Sequence, residues 1–156
     1  MTRLALARRL RLILIGIALC GLFFYLILLP WLLTCILPDD GRIRMAHLIL
    51  LWISGIPCYA VLGQGWQIVR NIASDRSFCE ENARRLRTVS TLAAVDAAYI
   101  PLCDLILFLI GGAEEIMLLL SVIIVFVGIA VSTAAAALSH LVLRAAELQE
   151  LSDLTV

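Results

Sequence analysis

Four stretches of this chain run for more than twenty residues almost without charge, and that spacing decides what the chain can fold into. Residues 12–38, 45–69 and 116–143 hold no Asp, Glu, Lys or Arg, and 88–113 holds only Asp96 and Asp104. A helix needs about 20 apolar residues to cross the roughly 30 Å hydrocarbon core of a bilayer. Backbone polar groups in lipid must be satisfied internally, so each run is expected to be a helix. A β-barrel needs short segments of alternating hydrophobicity, and these runs are continuous. Composition agrees, because 63% of the residues are hydrophobic and 15% charged, against about 45–50% and about 25% in a soluble domain. One small domain has too little interior to hide that much apolar surface. The formal net charge is zero, which removes the basic footprint of a nucleic-acid-binding domain. The expectation is an all-α fold, an integral membrane bundle of four transmembrane helices forming one domain over 1–156. The spans are placed at 12–37, 45–69, 88–110 and 116–143, with an inner loop at 70–87 and a tail at 144–156.

The connections are legible too. Leu37-Pro38-Asp39-Asp40-Gly41 reads as a helix stop followed by a turn, and Gly111-Gly112-Ala113-Glu114-Glu115 as a second tight connection. Pro30, Pro57 and Pro101 fall inside the runs, where neighbours in a bundle tolerate the kinks they cause. The first run begins after Arg3, Arg8, Arg9 and Arg11. Its apolar part is much longer than the 7–15 residues of a signal peptide, so a retained anchor is expected. Cys20 follows Leu19, where a lipoprotein cleavage site wants a small residue.

All twelve basic residues are arginine. Four precede the first span, Arg70, Arg76, Arg84, Arg85 and Arg87 lie between the second and third, and Arg144 follows the fourth. Only Arg42 and Arg44 fall in the opposite loops. Short loops rich in Arg stay in the cytoplasm. Both termini and the 70–87 loop are therefore expected inside a bacterial inner membrane, with the Pro38–Arg44 and Gly111–Glu115 turns outside.

Within the inner loop, Ser77 is placed to cap a helix, with Glu80 completing a capping box. Glu80–Arg84 and Glu81–Arg85 are i,i+4 pairs of favourable polarity. The third helix is expected to begin near Ser77 and to carry a cytoplasmic extension. That extension reads either as a solvated helix start beside anionic headgroups or as a docking surface.

Inside the membrane, Asp96 and Asp104 stand out, since a carboxylate in lipid normally faces the bundle interior and has a partner or a task. Eight residues separate them, about 12 Å along a helix and about 80° in direction, so they do not make a tight catalytic pair. A relay for protons or cations is one reading. An interhelical hydrogen bond, to Tyr99, Ser90 or Thr91 of a neighbouring copy or to Ser132 or Ser139, is the other. Gly128, Ser132, Ala136, His140 and Arg144 recur at intervals of four on the last span. Small residues at that spacing let helices pack closely in lipid, within one chain or in a homo-oligomer, and His140 and Arg144 end the stripe near the inner surface. His47 is expected at the outer interface. The five cysteines show neither CxxC nor metal-ligand spacing, and those in spans read as small apolar fillers. No motif of a hydrolase, zinc protease or P-loop NTPase occurs. Neither an enzyme nor a cofactor is expected.

The pattern Phe78-x-x-x-Asn82-x-x-x-Leu86 and the tail Ala145-Ala146-Glu147-Leu148-Gln149-Glu150-Leu151-Ser152-Asp153-Leu154-Thr155-Val156 resemble the bacterial domain-of-unknown-function 2975 family. The resemblance covers roughly residues 60–156. Such proteins are small four-helix membrane proteins ending in an acidic stretch closed by Asp-Leu-Thr-hydrophobic. Many carry Glu-Asn where this chain has Leu151-Ser152. The resemblance implies an inner-membrane location and no assigned reaction. It also implies a neighbouring small helix-turn-helix regulator as partner. On that basis the expected function is non-enzymatic binding or control of a cytoplasmic protein. Phe78, Glu81, Asn82, Arg85, Glu147, Glu150 and Asp153 are the candidate contacts. The alternative is a small oligomeric transporter or channel using Asp96 and Asp104.

Overall fold

The computed structural model describes residues 3–37, 41–74, 78–111 and 114–154, and among them it is all-helical. Helix α1 joins an α-helical Arg3–Phe23, a π-helical Phe24–Leu28 and an α-helical Leu29–Ile36. Then come α2 (Gly41–Ala73), α3 (Glu80–Leu109) and α4 (Glu115–Leu154). All four are long and apolar enough to cross a membrane. Side chains are described from Ala7 to Ser152, outside the gaps.

The pattern of exposure is that of a protein dissolved in lipid. Phe126 is 75% exposed, Leu109 74% and Leu12 63%, while the buried set includes His47, Ser54, Asn82 and Ser121. Within the spans several polar side chains face inward while many large apolar ones face outward, which water would penalise.

Proline explains the break in α1. Pro30 has no N–H and its ring crowds the carbonyl four residues back. The preceding turn widens, so that Leu29 N–H donates to Phe24 O, five residues back. The Tyr25 carbonyl is then left without a donor in its own helix, because Leu29 is engaged and residue 30 is proline. Trp52 of α2 supplies the missing donor, its Nε1–H reaching Tyr25 O at 3.1 Å.

At the other end of α3, Gly111 adopts φ 73°, the left-handed conformation that closes helices and suits glycine. Its N–H donates to Phe108 O at 3.0 Å. The start of α3 departs from expectation. Ser77 lies outside the described residues, and the residue before the helix is Cys79, extended and without a side-chain cap. Its carbonyl accepts from the N–H groups of Asn82 and Ala83. The ion pairs do form, Arg85–Glu81 at 2.6 Å and the more exposed Arg84–Glu80 at 3.8 Å.

Each helix packs mainly on its neighbours in sequence, and the α3–α4 contact is the most extensive. Gly128 lets α4 settle against Ala97 and Ala93 of α3. Further along the same seam Ser132 Oγ donates to Ser90 O at 2.9 Å and Ser139 Oγ to Ala83 O at 2.7 Å. Leu33, Leu37 and Met117 form a small apolar cluster that ties α1 and α4 together beside the start of α2. Opposite that cluster, the start of α1, the end of α2, the start of α3 and the end of α4 gather at the arginine-rich end.

Candidate functional site

Beyond the serines of the α3–α4 seam, polar side chains collect along the α2–α3 interface in three places. Antiparallel pairing sets their levels. Asn71 meets Asn82, Gln64 meets Arg85, Cys58 meets Asp96 and Leu50 meets Tyr99.

At the arginine-rich end, Asn71 Nδ2–H donates to Asn82 Oδ1 at 2.8 Å. Arg85 forks, one nitrogen to Gln64 Oε1 at 3.1 Å and the other to Glu81 Oε1 at 2.6 Å. Asn82 is buried and Arg85 half-buried, so these two candidate contacts are turned toward α2. Phe78 and Glu81 remain exposed, as do Glu147 and Glu150 on α4. The side chain of Asp153 lies outside the described residues. The seam contacts place residue 80 about level with residue 142, so the chain beyond Arg144 projects past the start of α3. His140 and Arg144 are exposed, and His140 borders a 460 Å³ cleft with Arg84 and Arg87 of α3.

Near the middle of the bundle, Tyr25 of α1, Ser54 and Cys58 of α2 and Asp96 of α3 form one cluster. Tyr25 OH donates to Cys58 Sγ at 3.8 Å, and Cys58 Sγ donates to Asp96 Oδ2 at 3.8 Å. Ser54 is buried and interacts through its side chain with both Tyr25 and Asp96. Asp96 Oδ1 is buried with no hydrogen-bond partner. Tyr25 fits there because Gly55 carries no side chain, and a Cβ at residue 55 would stand 3.3 Å from its ring. Tyr59 OH, donating to Ala18 O at 3.0 Å, fastens α2 to α1 beside it. The partners expected of Asp96 on α4 are committed elsewhere, since Ser132 serves Ser90 and Ser139 serves Ala83. Cys58, read as filler, is a donor to the carboxylate.

Toward the opposite end, His47 is 1% exposed, which corrects the expectation of an interfacial residue. Its Nδ1 lies 3.0 Å from Ile43 O and acts as donor to that carbonyl. Its Nε2 is buried without a hydrogen-bond partner. Asp104 on α3 is close enough to act on it electrostatically. Tyr99 OH reaches Leu50 O at 3.5 Å, between the two acidic positions. The two aspartates therefore sit in separate environments. Among the described residues no group of three or more His, Cys, Asp or Glu stands together as a metal cage.

Ser54 and Cys58 are four residues apart, and His47 is seven before Ser54, which puts all three on one face of α2. That face was the available sequence signal for the site. Tyr25 carried no comparable signal, because its place depends on how α1 docks.

Comparison with known proteins adds the following. The profile of the family described as "Protein of unknown function (DUF2975)" matches residues 32–156. The match reaches further toward the amino terminus than the 60–156 resemblance. The uncharacterized membrane protein YoaS of Bacillus subtilis (strain 168) is 22% identical over 153 residues, spanning 95% of this chain and 94% of its own. No solved structure matches.

Proposed function

This chain belongs to the DUF2975 family of proteins of unknown function, and from that membership and the bundle's geometry we propose that it is a non-enzymatic docking protein of the bacterial inner membrane. Both termini and the arginine-rich end face the cytoplasm in this reading, following the ten-to-two arginine bias. Its ligand is a small cytoplasmic protein, a helix-turn-helix regulator by the family resemblance.

One observation carries the proposal. Helix α4 is 40 residues long, about 60 Å and so about twice the hydrocarbon thickness. Beyond Arg144 it continues as helix for about 15 Å. That extension displays Leu148 and Leu151, 67% and 62% exposed, beside Glu147 and Glu150. Apolar residues held on a projecting helix, with carboxylates along one side, suit a partner groove that is apolar with a basic edge. Phe78, 56% exposed at the start of α3, extends the surface. Asn82 and Arg85 support it from behind by fixing α3 to α2. The acidic character of the extension disfavours direct nucleic-acid contact.

The test is recovery of the helix-turn-helix regulator from native membranes by wild-type protein and by Leu148→Asp/Leu151→Asp. Docking predicts loss of the regulator with the bundle intact. Equal recovery refutes it.

A second reading, a small oligomeric transporter or channel, draws on the unsatisfied Asp96 oxygen. Proteoliposome flux compared with Asp96→Asn and Asp104→Asn tests it, and identical flux in all three removes it.

A further inference from the structure

All four helices contribute to a cavity of 380 Å³. Asp96 lies eight residues into the third uncharged run and Val61 eight residues before the end of the second. Each is thus about 12 Å from the arginine-rich end of a core roughly 30 Å thick, which puts the cavity near the bilayer midplane. Its walls are Val61, Leu62, Leu92 and Ile124, with Asp96, Cys58 and Tyr25 as its polar edge. Ile17 and Val127 line it and are more than half exposed, so it opens sideways into lipid rather than toward water.

We propose that this cavity binds a lipophilic ammonium, an organic cation bearing N–H donors whose apolar body fills the cavity while its nitrogen meets Asp96. The volume lies within the roughly 300–1,000 Å³ of small-molecule sites, which are mostly apolar with a few placed polar groups. The carboxyl group is incompletely partnered. Oδ1 has no partner, and the rest of the group meets only the Ser54 hydroxyl and the Cys58 thiol, the latter at 3.8 Å and a weak donor, both uncharged. A buried acceptor left unmade is costly, and an intramembrane acid ordinarily has a counterpart. No Arg or His among the described residues takes that place. An ammonium supplies both the donor and the charge. A bare metal cation would need a fuller set of oxygen ligands than one carboxylate offers, and an anion is repelled. Entry from the bilayer suits a molecule that already partitions there. The inference concerns equilibrium binding alone, so neither the docking surface nor flux through the protein is needed for it.

The experiment is equilibrium dialysis of the full-length protein in detergent micelles against radiolabelled phenethylammonium. Phenethyl alcohol and the trimethylated ammonium serve as unlabelled competitors. Saturable binding is expected, with competition by the trimethylated cation weaker than by phenethylammonium and by the alcohol weakest. Asp96→Asn is expected to weaken binding about 30-fold or more, as loss of one partner of a buried charged pair does, and Asp96→Glu to retain it. Val61→Phe keeps the carboxylate but fills the cavity, and is expected to abolish binding. Circular dichroism and monodispersity confirm folding of each variant. If Asp96→Asn does not fold, Val61→Phe and the competitor order decide. Absence of saturable wild-type binding overturns the proposal. So does unchanged affinity in either Asp96→Asn or Val61→Phe, or equal competition by the alcohol.

Discussion

Gly128→Ala places one methyl group where the α3–α4 seam has no room for it. The added Cβ would stand 2.5 Å from Ala97 Cβ, 3.4 Å from Ala97 Cα and 3.5 Å from Ala93 O. Carbon atoms prefer about 3.5–4.0 Å, so the two helices must separate locally by about 1 Å. Neither obstacle is the far end of a flexible side chain. The shift therefore falls on backbone and on the neighbouring Ser132–Ser90 and Ser139–Ala83 hydrogen bonds. Overpacking of this kind costs about 1–3 kcal/mol, partly offset by alanine's helix propensity, which is about 1 kcal/mol better than glycine's. A net loss of up to about 2 kcal/mol is expected. Equilibrium unfolding in mixed micelles measures it. Gly63→Ala is the control, because nothing lies within 4 Å of a Cβ there, and it should not destabilise. In the double variant Gly128→Ala/Ala97→Gly the methyl moves from one helix to the other, so a favourable coupling of about 1 kcal/mol or more is expected. Gly128→Ala as stable as Gly63→Ala, with no coupling to residue 97, would refute the close approach of the two helices.

Trp52→Phe removes the donor to Tyr25 O and should cost about 1–3 kcal/mol in the same assay. Adding Pro30→Ala should recover part of that loss by restoring an N–H, and no recovery would contradict the origin assigned to the π-helical turn. Asn82→Ala strands Asn71 Nδ2 in a half-buried interface and should cost a similar amount, while Glu150→Ala, on the exposed extension, should change stability by less than about 0.5 kcal/mol. Removing the chain after Arg144 should leave the unfolding transition of the bundle in place while abolishing recovery of the cytoplasmic partner. Loss of both together would make the extension structural.

Gaps between charges located the four helices because lipid excludes charge from a long segment whatever its neighbours are. The helices nevertheless run past those gaps, α4 to Leu154 and α2 to Ala73, since a charged residue can continue a helix once it has left hydrocarbon. The small-residue stripe was readable, and its partner turned out to be α3 of the same chain, with Gly128 on Ala97 and Ser132 on Ser90. The setting of Asp96 was not readable. Its neighbours Ser54, Cys58 and Tyr25 come from two other helices, and only the docking of those helices decides which small polar group meets it. The burial of His47 has a related reason. Its position near a span end suggested an interfacial residue, but its direction on α2 turns it into the bundle toward Asp104. The local pattern points to Ser77 as a cap; Ser77 lies outside the described residues, and Cys79 precedes the helix with its backbone carbonyl taking the first amides.

The central claim is that a four-span bundle keeps its arginine-rich end in the cytoplasm. Single cysteines introduced at Glu80, Glu150 and Arg42, in a chain whose five native cysteines are replaced, test it most directly through labelling of intact cells with a membrane-impermeant maleimide. The account predicts labelling at position 42 from outside, and at positions 80 and 150 only after the cells are opened. Labelling of position 80 or 150 in intact cells would contradict it.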